Sequence, residues 1–98
     1  MDKQEILKMM GNLPEEVYDA IVQSCYEESR GRLKELKVIL DNRDWVAAGR
    51  MAHAIKGSAG NLHLTSIFEA AKKLEFSAKA GQAEEAQKDF DALSQLIP

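Results

Sequence analysis

Apolar residues in this chain recur at steps of three and four, the period of a helix, and nowhere alternate for long with period two. The pattern predicts a short amphipathic helix carrying Ile6, Leu7, Met9 and Met10 and ended by Gly11. Asn12 followed by Glu15 reads as a capping box for the next helix, with Pro14 in the first turn, where a missing N–H does no harm. That helix is expected to run to about Asp41 on the stripe Val22, Tyr26, Ser29, Leu33, Leu36 and Leu40. Gly31 is its weak point, costing about 1 kcal/mol relative to Ala. Asp41 to Asp44 is a turn, with Asp44 as N-cap of a third helix on the stripe Trp45, Ala48, Ala52, Ile55, Ala59 and Leu62. Asn61 to Thr65 reads as a connection, and Ser66 with Glu69 as a second capping box. Leu64, Ile67, Ala71, Leu74 and Ala78 then mark a helix stopped at Gly81, and Ala83, Ala86, Phe90, Leu93 and Ile97 mark the last. Four such stripes on short connections predict an all-α fold, an antiparallel four-helix bundle with the short N-terminal helix capping one end. No repeat, low-complexity tract or shift in composition divides the chain, so residues 1–98 are expected to form one domain.

Charge narrows the partners. The chain has 13 Lys and Arg against 16 Asp and Glu, a net charge of -3, which argues against a general nucleic-acid binder. With 45% hydrophobic and 30% charged residues it has the profile of a soluble globular domain. The uncharged run that ends before Glu69 holds Gly, Ser, Asn, His and Thr, so no membrane span is expected. The single cysteine, Cys25, excludes an internal disulfide and four-cysteine zinc sites; it lies beside the core stripe of the second helix and reads as a small buried hydrophobe. Met1 to Met10 lacks the apolar stretch of a signal peptide, which points to the cytoplasm. Met1 and a compact end at Pro98 lean toward a free-standing protein. A chain of 98 residues has room for few catalytic parts.

One face of the third helix does not fit a structural role. At 100° per residue His53 points roughly 140° away from the centre of the apolar stripe, toward solvent. Gly49, Gly57 and Gly60 stand at i−4, i+4 and i+7 from it, and each glycine costs a helix about 0.8–1.0 kcal/mol relative to Ala. Gly60 is partly explained by the helix end; Gly49 and Gly57 are not. A bare surface around a projecting imidazole makes sense where another molecule must approach it closely. Arg50 at i−3 and Lys56 at i+3 make the spot locally positive on an acidic protein. A surface histidine beside Lys and Arg is ordinarily a plain solvated position, and the glycines are what shift the balance. The combination suits a nucleophile that receives an anion, most naturally a phosphoryl group, with Lys56 screening the arriving charge. His53 and His63 as metal ligands is a weaker reading, since they lie across a helix end with no nearby Cys or carboxylate partner in sequence.

The run His53-Ala54-Ile55-Lys56-Gly57-Ser58-Ala59-Gly60-Asn61-Leu62, preceded by Ala52, resembles the motif of the histidine-containing phosphotransfer (HPt) domain family. Ala70-Ala71 with Leu74-Glu75 resembles the family's following helix, and the likeness extends from Pro14 to Leu96. The resemblance implies a four-helix bundle that takes a phosphoryl group from an aspartate of one response-regulator receiver domain and passes it to another. It implies His53 as phosphoacceptor through Nε2, Lys56 as the neutralising cation, and Gly57 as the opening through which the partner closes over the ring. Gly49, Arg50 and Gly60 are then expected to face the partner. The implied partners are receiver domains and a hybrid sensor histidine kinase, met by a monomer; the chain needs no cofactor, because the Mg²⁺ used in transfer belongs to the receiver. No ATP-binding or autonomous catalytic activity is expected, nor any nucleic-acid or membrane partner. His63 departs from the family, which commonly has glycine after Asn-Leu.

Ala54 follows His53 where ordinary sensor kinases carry an acid, so no adjacent general base for autophosphorylation is seen. The glycines lie at helical spacing, unlike a phosphate-binding loop. Two alternatives stand beside the phosphocarrier: the phosphoacceptor domain of a chemotaxis-type kinase, and an adaptor that binds receivers without being phosphorylated. The first needs an ATP-binding domain elsewhere, and the intact His53 and Lys56 speak against the second.

Overall fold

The apolar stripes close on one another in a computed structural model that describes residues 1–98. Its helices are α1 (Lys3–Met9), α2 (Glu15–Asp41), α3 (Trp45–Asn61), α4 (Thr65–Lys79) and α5 (Ala83–Leu96), with no strand. The 27 residues of α2, at about 1.5 Å each, run nearly the whole 43 Å length of the molecule. α3 packs against α2 and α4, and α5 packs against α4 and, less extensively, α2. The fold is the expected all-α four-helix bundle with a short N-terminal helix. No helix is long and apolar enough to cross a membrane.

The core is assembled from the stripes read in the sequence. Leu36, Ile55, Leu74 and Leu93, one from each long helix, are among its largest fully buried side chains. Between them Ala48, Ala52, Ala59, Ala71, Ala78 and Ala86 are almost wholly buried, and their small side chains let α3, α4 and α5 approach closely. α1 adds a second cluster, Ile6 and Leu7 packing with Tyr18, Val22 and Cys25 of α2 and with Leu62. The buried Tyr18 hydroxyl donates to the Leu62 carbonyl at 2.7 Å, so the start of α2 also ties down the end of α3. Trp45 packs against the main core at the start of α3, its indole against Gly81.

The three connections within the bundle are the same turn used repeatedly. Each spans three residues, and the middle one is left-handed: Arg43 at φ 56°, His63 at φ 58° and Gly81 at φ 67°. In each, the N–H of the third residue donates back five positions, from Asp44 to Ile39, Leu64 to Ala59 and Gln82 to Ser77, all at 2.9–3.1 Å. This is a Schellman ending, which satisfies carbonyls that the helix leaves open. Such short turns leave consecutive helices antiparallel.

Two helix starts differ from the expectation. Asn12 is not a cap: it follows Gly11 in a left-handed turn (φ 59° after φ 79°), whereas a capping residue needs extended backbone. α2 starts instead from Pro14, with no side-chain cap, so Pro14 precedes the first turn rather than sitting in it. Ser66 likewise lies inside α4, which begins at Thr65 after Leu64. Leu64 packs against both apolar clusters, and that anchoring sets the start of α4 without a side-chain cap. Asp44 caps α3 as expected, accepting from the Ala47 N–H at 3.2 Å.

The repeated turn yields a prediction. A non-glycine residue in left-handed backbone costs about 1–2 kcal/mol, part of which glycine forfeits through its freer unfolded chain. His63→Gly should therefore stabilise the bundle by about 1 kcal/mol in urea denaturation, and an unchanged or lower midpoint would contradict this account of the turn.

Candidate functional site

His53 lies where the helical period places it, on the outer side of α3, with its side chain about two-thirds exposed. Its Nδ1 sits 2.8 Å from Oε2 of Glu75, a residue of α4 that is buried against α3. The Lys56 ammonium donates to the other oxygen, Oε1, at 2.6 Å, and Lys79 donates to Oε2 at 2.9 Å. One carboxylate thus collects two ammonium groups and an imidazole at the α3–α4 seam.

These contacts set the charges. Burial by itself pushes the Glu75 carboxyl up, but the hydrogen bonds from Lys56, Lys79 and His53 outweigh it and hold the group at about 2. Glu75 is therefore ionised at neutral pH and only accepts, so Nδ1 of His53 must be the donor. A neutral ring then carries its proton on Nδ1 and its lone pair on Nε2, the edge away from the carboxylate.

The glycines sort into different roles. A Cβ on Gly57 would meet no neighbouring side chain or helix within 4 Å, so Gly57 leaves open surface one turn from His53. Gly49 does not belong to that open face. It is buried, and a Cβ there would stand 3.0 Å from Cγ of Lys79, whose stem crosses over it. Gly60 is half-buried, with the Phe68 ring 3.2 Å from where its Cβ would be. At 100° per residue Gly49 and Gly60 lie only about 90° and 110° from the centre of the apolar stripe, and α4 covers that flank. Arg50 is exposed and stands outside the Glu75 network.

His63 takes the left-handed position of the α3–α4 turn, which explains why glycine is common there in the family that the sequence resembles. No three or more His, Cys, Asp or Glu side chains are grouped to hold a metal ion. The Glu75 oxygens are already taken by cations.

Sequence reasoning named His53, Lys56 and Gly57 but gave no role to Glu75 or Lys79. A signal for Glu75 was present: it stands i+4 from Ala71 and i−3 from Ala78, a carboxylate on the buried stripe of α4. Lys79 follows it at i+4, the spacing of a helical ion pair.

The fold and the site together define a helical bundle that presents one imidazole from a carboxylate–lysine cradle. A family model for the Hpt domain matches residues 20–98, and the chain belongs to that family. Hpt domains are phosphocarriers of histidine phosphotransfer in phosphorelays, where they meet receiver domains and kinases. Comparisons with curated proteins and with solved structures give no significant match. α1 and the first residues of α2 precede the matched stretch.

The Glu75 cluster predicts a pH dependence of stability. A carboxyl held at about 2 in the folded chain, against an ordinary 4.5, contributes stability that is fully present above the ordinary value and is lost as pH falls through about 2. Unfolding free energy measured by denaturation should fall more steeply from about pH 5 to 2 in the wild type than in Glu75→Gln. Parallel slopes would show that the cluster is not linked to folding.

Proposed function

We propose that this chain carries a phosphoryl group on Nε2 of His53, taken from the aspartyl phosphate of one receiver domain and passed to an aspartate of another. The observation that carries the reading is the division of the ring: Nδ1 is engaged by Glu75 at 2.8 Å, while Nε2 makes no hydrogen bond in a largely exposed side chain. The Nε2 lone pair attacks phosphorus, an N–P bond forms, and the P–O bond to the receiver's aspartate breaks, the carboxylate leaving with the electron pair. The Nδ1 proton stays on the ring, and the Glu75 carboxylate offsets the positive charge that the ring acquires. Onward transfer is the reverse step on a second receiver.

Lys56 lies one turn from His53 on the same helix and meets the negative charge of the phosphoryl group. Gly57 leaves the approach clear, and the exposed Arg50 faces acidic groups of the partner. On this reading the chain needs no cofactor and the Mg²⁺ of the transfer is held by the receiver; the bonds of Lys56 and Lys79 to the Glu75 carboxylate support it. The partners are receiver domains and a hybrid sensor histidine kinase, met in the cytoplasm by a monomer of one domain.

Incubation with a phosphorylated receiver tests this. Label should appear on the wild type, acid-labile and base-stable, and should be absent from His53→Gln; equal labelling of the variant would remove His53 from the reaction. Gly57→Leu should keep the fold, because a Cβ there would meet no atom of another helix and no side chain beyond its chain neighbours within 4 Å, yet slow transfer at least about tenfold by blocking approach to the ring. An unchanged rate would overturn the steric role of Gly57.

One observation favours a second reading, the phosphoacceptor domain of a chemotaxis-type kinase. Glu75 brings from α4 the acid that Ala54 does not supply beside the histidine. Labelling of His53 by such a kinase with ATP, in the absence of any receiver, would select it over the phosphorelay carrier.

A further inference from the structure

Lys79 lies outside the motif that marks the site, and its place in the structure is unusual for an exposed lysine. Its side chain is 63% exposed, yet its stem is seated on the α3 backbone at Gly49, where a Cβ would come within 3.0 Å of Cγ and 3.4 Å of Cε. Gly49 is buried one turn before His53 and has no role in a helix end. From this seat the ammonium bonds Oε2 of Glu75, the same oxygen that receives the His53 Nδ1–H. Two residues on different helices, one without a side chain and one with a long one, thus fit together beside the imidazole.

The shared oxygen has a chemical consequence. An ionised carboxylate bound to an imidazole favours the imidazolium form, and an imidazolium has no lone pair on Nε2. A second cation on that oxygen draws part of its charge away and also repels a positive ring. Lys56 does the same from Oε1. Arg50 on α3 and Lys72 on α4 are exposed charges on the helices that flank the ring, and Arg32 of α2 lies 3.4 Å from Ser58 farther along α3. Among all of these, only Lys79 shares the atom that binds His53.

We infer that Lys79, seated over Gly49, is a positioning residue that lets Glu75 orient His53 without trapping it in the protonated, non-nucleophilic form. Its use depends on the phosphocarrier reading, but its effect on the ring does not.

The test reads the imidazole directly. Nitrogen-15 shifts of His53 give the protonated fraction and the tautomer across pH 5–9. In Lys79→Met, which keeps the apolar stem, the protonated fraction at pH 7 should rise about two- to three-fold, with the Nδ1–H tautomer retained. The acid limb of the pH profile for phosphoryl acceptance should move to higher pH in step with the protonation of the ring. Lys79→Arg should restore both. Gly49→Ala alters no charge but crowds the stem, and it should move both readouts in the same direction by less. A protonated fraction unchanged in Lys79→Met would overturn the inference, as would a Gly49→Ala protein indistinguishable from wild type. If the wild type takes no label from any receiver while the nitrogen-15 shifts respond as stated, the phosphocarrier reading fails and the coupling of Lys79 to His53 stands.

Discussion

The site depends on one buried charge. The Glu75 carboxylate sits at the α3–α4 seam, where taking it out of water is unfavourable unless its charge is compensated. Lys56, Lys79 and His53 supply that compensation, and together they hold the carboxyl ionised. Because the acceptor is ionised, the ring is fixed with Nδ1 donating; because Nδ1 is occupied, Nε2 is the edge left without a hydrogen bond. A single pairing thereby links the packing of two helices to the direction of the imidazole.

The rest of the bundle can be seen as what holds that seam in place. The alanines of α3, α4 and α5 bring the helix backbones close, and the Schellman turn at Leu62–Leu64 sets α4 antiparallel to α3. Tyr18 reaches from α2 to the carbonyl at the end of α3, so the turn is braced from outside the pair. His63 accepts a strained backbone at the centre of that turn, a local cost carried by the packing around Leu62 and Leu64.

Much of this was legible beforehand. The helical stripes, the cap at Asp44, the stop at Gly81 and the outward position of His53 follow from the 3.6-residue period and from local turn chemistry, which act within one segment. The cap assigned to Asn12 failed for a reason of the same scale, a left-handed turn at Gly11 and Asn12; that assigned to Ser66 failed through tertiary packing, because Leu64, anchored in both apolar clusters, starts the helix earlier. The glycines were harder. Their common helical spacing suggested one exposed face, and only the neighbouring helix shows that Gly49 seats a lysine and Gly60 a phenylalanine while Gly57 stays open.

By itself the sequence determined the number and faces of the helices, the histidine that projects from the third, and the Hpt motif around it. The tertiary structure alone decided which charges meet that histidine. Glu75 lies 22 positions from His53 and Lys79 four positions beyond Glu75. No periodicity within one helix states how a second will be rotated and shifted against it; the packing of the alanine faces does that. The reason is physical: helical order is local, whereas the electrostatics of a site is set by whatever the packing of separate helices brings within about 3 Å.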